Sequence, residues 1–413
     1  MAVIGAVVAA VSAGVVQPAA ADTPLACKFP GNRSAAARIC AEVSGQIYGA
    51  FATWKNAPIT FSNGAAVGDW VQNYMDMMPV PGTGFDMGLR STKAGAVGRT
   101  YEPYWAENGN QSYQEHAITP ARGPASADGL NHSYMVLRSG QTSQWDVLYD
   151  FNPVGRTALQ SQGYTNGYNV QLETNNLRDT TIGEMEDRFQ YLAPGDEWSR
   201  FDRTSVTTQV TSATCGTSSP PPYCFAAELT GSPKAIAWKV SKPAAVAFTA
   251  PRPQRGASAG ATLNGVDQDA LATCMANDPS QCLQQVPGLA ACVHARLACN
   301  ATAQQPAPRS LTPRSVGSTL TAEQTRQLAA VRFHTDATQI QVRPMTVASY
   351  DKAAGTQLGG QWSPDLTLWL ATSTAETKSE KGGETHYNGL TAAYDPSSGQ
   401  LLHAALGAQR PFK

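Results

Sequence analysis

The residues of this chain best suited to chemistry are carboxylates set among aromatic residues in strand-like sequence. Glu102 and Glu107 flank Tyr104 and Trp105, with Glu115 and His116 just beyond. Glu173 lies in the alternating run 168–174, on the side that also carries Asn169 and Gln171. Glu184, Glu186 and Asp187 form an acidic turn before Phe189. A sandwich can present two carboxylates on a concave face. One raised-pKa acid beside one ionised base would support attack of water on a glycosidic or a peptide bond. Glu102, Glu115 and Glu173 are the catalytic candidates on that reading. A solvated strand face is the commoner arrangement of such residues.

Rings near these carboxylates suit a different role. Tyr101, Tyr104, Trp105, Tyr113, Tyr164 and Tyr168 occupy turn-rich stretches with Asn108, Asn110, Asn166 and Asn169. Exposed rings stack on apolar sugar faces, and nearby amides bind hydroxyls. Tyr104, Trp105, Tyr164 and Tyr168 are therefore the ligand-binding candidates, whereas Trp145, Tyr149 and Phe151 read as core. The G-x-S-x-G match around Ser258 has neither the strand before it nor the helix after it that a nucleophile elbow needs. The histidines (116, 132, 294, 334, 386 and 403) lack His-Glu-x-x-His spacing and read as surface or strand-end residues. No metal and no cofactor is expected.

These residues need a scaffold, and the chain supplies short alternating runs. Strands are predicted at 39–51, 58–61, 133–138, 144–151, 168–174, 188–192, 206–210, 225–229 and 235–240. Residues 69–78 read as a short helix, 81–98 as a Gly-rich stretch, and Asn152-Pro153 as a turn. This pattern predicts a mainly β protein, an antiparallel sandwich of jelly-roll type. Residues 266–276, 280–285 and 288–303 read as helical, so Cys274, Cys282, Cys292 and Cys299 brace a helical hairpin. Facing spacings favour nested bridges, 274 to 299 and 282 to 292. Cys27 with Cys40 and Cys215 with Cys224 read as local staples. A C-terminal α+β module follows, with a helix at 321–333 capped by Thr319 or Thr321. Its strands are predicted at 339–350, 366–373, 387–394 and 400–406.

The domain boundaries expected are a signal peptide (1–21), an N-terminal extension of the sandwich (22–98), the sandwich (99–250), a linker (251–265), the disulfide-braced hairpin (266–303), a Pro-rich linker (304–319) and the α+β module (320–413). The leader is an apolar run ending in Ala19-Ala20-Ala21, although no basic residue precedes Lys28. Export would let the eight cysteines oxidise. Only 15% of residues are charged and the net charge is −1, which excludes a basic nucleic-acid surface. No membrane span is expected once the leader is removed. The functional expectation is a secreted, extracellular binding protein that recognises a glycan, cell wall or other polymer through the sandwich. A protein partner could meet the C-terminal module. The alternative is a secreted hydrolase, glycosidase or acid peptidase, with paired carboxylates on the sandwich face.

Overall fold

The computed structural model describes residues 35–301 and 319–412, apart from 57, 81–82, 110, 119–128, 159–161, 177–178, 183–184, 196, 202–205, 211–223, 231–234, 242–260, 357, 359–361, 380–384 and 409. The expected leader, Cys27, Cys215 and Ser258 lie outside the described residues.

The chain opens on β1 (Ala35–Ile47), β2 (Gly49–Lys55) and β3 (Ile59–Phe61). Hairpins β4 (Trp70–Val80) with β5 (Thr83–Thr92), and β6 (Glu102–Gly109) with β7 (Ser112–Ala117), follow. Next come β8 (Asn131–Arg138), β9 (Trp145–Tyr149), β10 (Asn152–Arg156), β11 (Thr165–Thr174), β12 (Thr180–Ile182), β13 (Met185–Leu192), β14 (Trp198–Arg200) and β15 (Val206–Val210). The hairpin β16 (Cys224–Thr230) and β17 (Ala235–Ser241) completes this region. The short pair β18 (Thr262–Leu263) and β19 (Val266–Asp267) leads into α1 (Gln268–Asn277), α2 (Cys282–Gln285) and α3 (Leu289–His294). The C-terminal part holds α4 (Ala322–Arg332), β20 (Gln341–Thr346), α5 (Val347–Ala354), β21 (Thr367–Ser379), β22 (Thr385–Tyr394) and β23 (Leu401–Gly407).

Among the described residues these strands form an eleven-stranded sheet, β15-β1-β11-β4-β5-β6-β7-β23-β22-β21-β20, and an eight-stranded sheet built around β9-β8-β2-β13. The described ladders are antiparallel, and the two sheets stack as a sandwich. Val71, Met75, Met87, Trp105, Val170 and Leu172 of the larger sheet meet Ala52, Trp54, Tyr134, Val136, Trp145 and Phe189 of the smaller one. Period-two alternation produces this core. The outer face of the smaller sheet is also apolar. Its Phe51, Met135, Leu137 and Leu148 pack against Val266, Leu271, Leu289 and Val293 of the helical segment.

The structure corrects several expectations. Residues 69–78 are a strand, not a helix, and the Gly-rich stretch contains β5. Both are central in the larger sheet. Val71, Met75 and Met77 of β4 face the core, while Trp70, Val71, Tyr74, Met75 and Met78 also fit helical spacing, and the glycines of β5 masked its alternation. Of the segment expected as an N-terminal extension, β4 and β5 thus lie at the middle of the larger sheet, β1 lies next to its β15 edge and β2 belongs to the smaller sheet. The strand expected at 39–51 is divided between two sheets, with Tyr48 at the crossing. The turn expected at Asn152-Pro153 comes two residues earlier. Asp150 and Phe151 are left-handed (φ 48° and 64°), which turns Phe151 away from the Trp145 side and into the helical-segment core.

Bridges join Cys274 to Cys282 and Cys292 to Cys299, not in the nested arrangement. The reason is that α1 ends at Asn277 and α3 at His294, so the chain folds back within each pair. Arg296, at φ 59°, provides the second reversal. In the C-terminal region Thr321 is the cap of α4, and its side chain and that of Gln324 form a reciprocal capping box. The strand expected over 339–350 stops at Thr346, where α5 begins. The expected module also shares a sheet with the sandwich, because β23 pairs with β7 from His403–His116 to Gly407–Ser112.

Candidate functional site

Over β11, β4 and β5 the outward face of the larger sheet carries polar side chains. In β4, Val71, Met75 and Met77 enter the core, which sends Gln72, Tyr74 and Asp76 to the opposite face. Register then sets a row across four strands. Glu173 of β11 stands opposite Gln72 of β4, Gln72 opposite Arg90 of β5, and Arg90 opposite Glu102 of β6. Glu115 of β7 reaches the same cluster. The three carboxylates singled out in the sequence are therefore brought onto one face.

They do not sit in equivalent surroundings. Glu115 accepts from Arg90 Nη1 at 2.7 Å and from the Tyr113 hydroxyl at 2.5 Å, and it also pairs with Arg332 of α4. Two guanidinium groups neutralise it. Glu102 accepts from the Leu401 backbone N–H at 3.2 Å. Burial pushes its pKa up to about 7, although Arg90 opposes that rise. Glu173 Oε2 accepts from Gln72 Nε2 at 3.2 Å and from the Tyr74 hydroxyl at 2.9 Å. Gln72 Oε1 in turn accepts from Arg90 Nε at 3.1 Å and Nη2 at 2.7 Å. One hydrogen-bonded chain thus runs Glu173–Gln72–Arg90–Glu115–Arg332.

The face is shielded from bulk water. Gln72, Tyr74 and Glu173 are 5%, 4% and 6% exposed. Leu328, Ala329 and Phe333, on α4 and at its C-cap, pack with Tyr74, Tyr104 and Tyr113 in one cluster. Burial lowers the tendency of Arg90 to hold its proton, but Glu115 beside it reverses that, and the guanidinium stays charged. The ring of Tyr104 lies under the guanidinium at 4.5 Å.

The ring candidates are placed differently from the expectation. Tyr104, Trp105 and Tyr168 are 1%, 5% and 0% exposed, so they are interior residues and not a stacking platform. Trp105 stacks on His116 at 4.0 Å, and Tyr168 donates to the Gln190 carbonyl at 2.7 Å. Tyr164 is exposed. His132, at the start of β8, and His403 are buried and His116 is half-buried, so none of the three is a surface residue. His132 Nδ1 lies 2.8 Å from Asp150 and from the Tyr149 hydroxyl. His116 and His403 face each other at the β7–β23 seam, and burial pushes His403 down to about 4. Among the described residues no group of three or more His, Cys, Asp or Glu could hold a metal ion. No described helix is long and apolar enough to cross a membrane.

Sequence reasoning missed Gln72, Tyr74 and Arg90. The signal available was the alternation Gln72-x-Tyr74-x-Asp76, which a helical reading of the same residues conceals.

No family model and no curated protein matches the chain. Among solved structures, it is similar to scytalido-glutamic peptidase with a transition-state-analogue inhibitor: 9% identity over 50% of this chain and 98% of that one, TM-score 0.33. SCP-B, a member of the eqolisin family of peptidases in complex with the tripeptide Ala-Ile-His, gives 10% identity, 50% and 97% coverage, and TM-score 0.29. The κ-carrageenase from Pseudoalteromonas carrageenovora gives 11% identity, 49% and 68% coverage, and TM-score 0.18. Likenesses at these scores carry no functional argument, so the sandwich assignment rests on the sheets themselves.

Proposed function

We propose that the protein is a hydrolase of peptide bonds, with Glu173 as general base and then general acid, and Gln72 as the oxyanion donor. The observation that supports this is the Glu173–Gln72–Tyr74 arrangement on the polar face. A glycosidase would need two carboxyl groups about 5 to 9.5 Å apart, each available to the sugar. Here the backbones carrying Glu173 and Glu102 are three strand spacings apart, about 14 Å. Glu115 is committed to two arginines. Asp76 and Asp86 stand opposite each other farther along the same face. The Glu173–Gln72 pair is instead a carboxylate with an amide beside it, a set suited to addition of water to a carbonyl.

The steps balance on these groups. Glu173 takes a proton from water as the water oxygen bonds to the carbonyl carbon. Gln72 Nε2 has two hydrogens, and among the described residues one is bonded to Glu173. The second can meet the developing oxyanion. Glu173 then gives its proton to the leaving nitrogen as the C–N bond breaks. Binding of a polymer by exposed rings has only Tyr164 of the four candidates to rest on. The Glu173 set is also buried, so the hydrolase reading requires a substrate to displace part of the cover over that face.

Secretion belongs to the same proposal. Two disulfides among the described residues fit an oxidising, extracellular setting. The test is incubation of purified protein with fluorescein-labelled casein and with a polysaccharide panel. Casein cleavage lost in Glu173→Gln is expected. Cleavage of a polysaccharide instead, or casein cleavage untouched by Glu173→Gln, would defeat the reading.

A further inference from the structure

We propose that Arg90 is a positioning residue of this site: by holding Gln72 Oε1 with two N–H groups, it decides which end of the Gln72 amide faces Glu173. The inference rests on the hydrolase reading and deepens it. A carboxamide has nearly the same shape either way round, but its two ends do opposite chemistry. With nitrogen toward Glu173, Gln72 offers a donor to the oxyanion. With oxygen toward Glu173, it offers none.

Glu173 alone cannot hold the productive orientation through a turnover. While ionised it only accepts hydrogen bonds and favours the amide nitrogen. Once it has taken the proton from water it can donate, and the amide oxygen becomes an equally good partner. That is the moment at which the oxyanion needs the N–H. Arg90 removes the choice, because a guanidinium only donates and keeps its proton. Its Nε and Nη2 both reach Gln72 Oε1, at 3.1 and 2.7 Å. Its third contact, Nη1 to Glu115 at 2.7 Å, fixes the plane of the fork from the far side. Glu115 is itself held by Tyr113 and Arg332, so the anchor reaches into α4. The competing role for Arg90 is that of a countercharge for buried Glu102 and Glu115, with no bearing on the amide.

The test uses the full chain and casein saturation curves for wild type, Arg90→Lys, Gln72→Ala and the double variant. Lys keeps the charge but loses the fork. Arg90→Lys is expected to lower kcat about tenfold or more with KM little changed, since an oxyanion donor contributes about 10²–10³. In the Gln72→Ala background the same change should be nearly silent in kcat. An equal loss in both backgrounds overturns positioning and leaves Arg90 a countercharge. Casein turnover indifferent to Glu173→Gln defeats the hydrolase reading instead. A measurement independent of turnover covers a variant that folds poorly or a substrate that is not cut. The Gln72 side-chain amide protons, assigned by their loss in Gln72→Ala, should keep their NOEs to the Tyr74 ring as Glu173 protonates. In Arg90→Lys those NOEs should fade. Identical NOEs in the two proteins overturn the proposal.

Discussion

Glu102 is a carboxyl that the protein keeps in an unfavourable place for a charge. Burial is the leading cause of its rise from 4.5 to about 7, ahead of the opposing Arg90. A group whose folded pKa is raised stabilises the fold fully below its unfolded pKa, and that contribution is lost as pH rises through the folded value. The loss therefore falls between about 4.5 and 7 and is worth about 3 kcal/mol. His403 acts at the acid end. Burial depresses it from 6.5 to about 4, so its contribution disappears as pH falls through that range. Glu102→Gln keeps an acceptor for the Leu401 N–H and never ionises. Thermal unfolding should show the variant gaining on wild type at pH 8 and matching it at pH 4. A constant difference across that range would show that Glu102 is already neutralised.

At the scale of the element, β5 decides whether β4 can present its side chains. Gly88 stands opposite Tyr74, and a Cβ there would come within 2.3 Å of the Asn73 carbonyl and 2.4 Å of Tyr74 Cβ. Backbone cannot move aside as a flexible side chain can. Gly88→Ala should therefore cost about 1–3 kcal/mol, or more, and shift Tyr74 off Glu173. The matched control is Gly45→Ala, where a Cβ meets nothing within 4 Å. Urea midpoints and casein turnover should both fall in the first variant and hold in the second. Equal behaviour of the two would mean that the ladder relaxes freely. These same elements mark the limit of what the sequence discloses. The strands at 133–138 and 168–174 are buried on both faces. The second was legible because apolar and polar residue types alternate along it, and the first as a short apolar run ending at Arg138. Glu102, Glu115 and Glu173 were legible as carboxylates in such runs. Gln72, Tyr74 and Arg90 were not, since the apolar residues of β4 also fit helical spacing and the glycines of β5 read as a loop. The cysteine pairing was misread for a related reason: it depends on where α1 and α3 stop, and small residues such as those at 290–291 continue a helix as readily as they end one. Burial of Tyr104, Trp105 and Tyr168 depends on strands distant in sequence, which no local pattern reports.

For the whole molecule, the question is whether residues 320–413 form a separable module. A module joined by a linker would unfold on its own. Here β23 is hydrogen-bonded along β7, Leu328 and Phe333 share a cluster with Tyr74, Tyr104 and Tyr113, and Arg332 reaches Glu115. Removing this segment would bare the β7 edge and leave Glu115 with one arginine fewer, both costly in an interior. We therefore expect one cooperative unit spanning the larger sheet. Leu328→Ala opens a cavity at the junction and should cost about 2–5 kcal/mol. Native-state hydrogen exchange reads where that cost is felt. If the unit is cooperative, the most protected amides of β4–β6 lose as much protection as those of β21–β23. Loss confined to β20–β23 and α4, with β4–β6 unchanged, would restore the picture of an independent module and remove α4 from any part in holding the Glu115–Arg90–Gln72 chain.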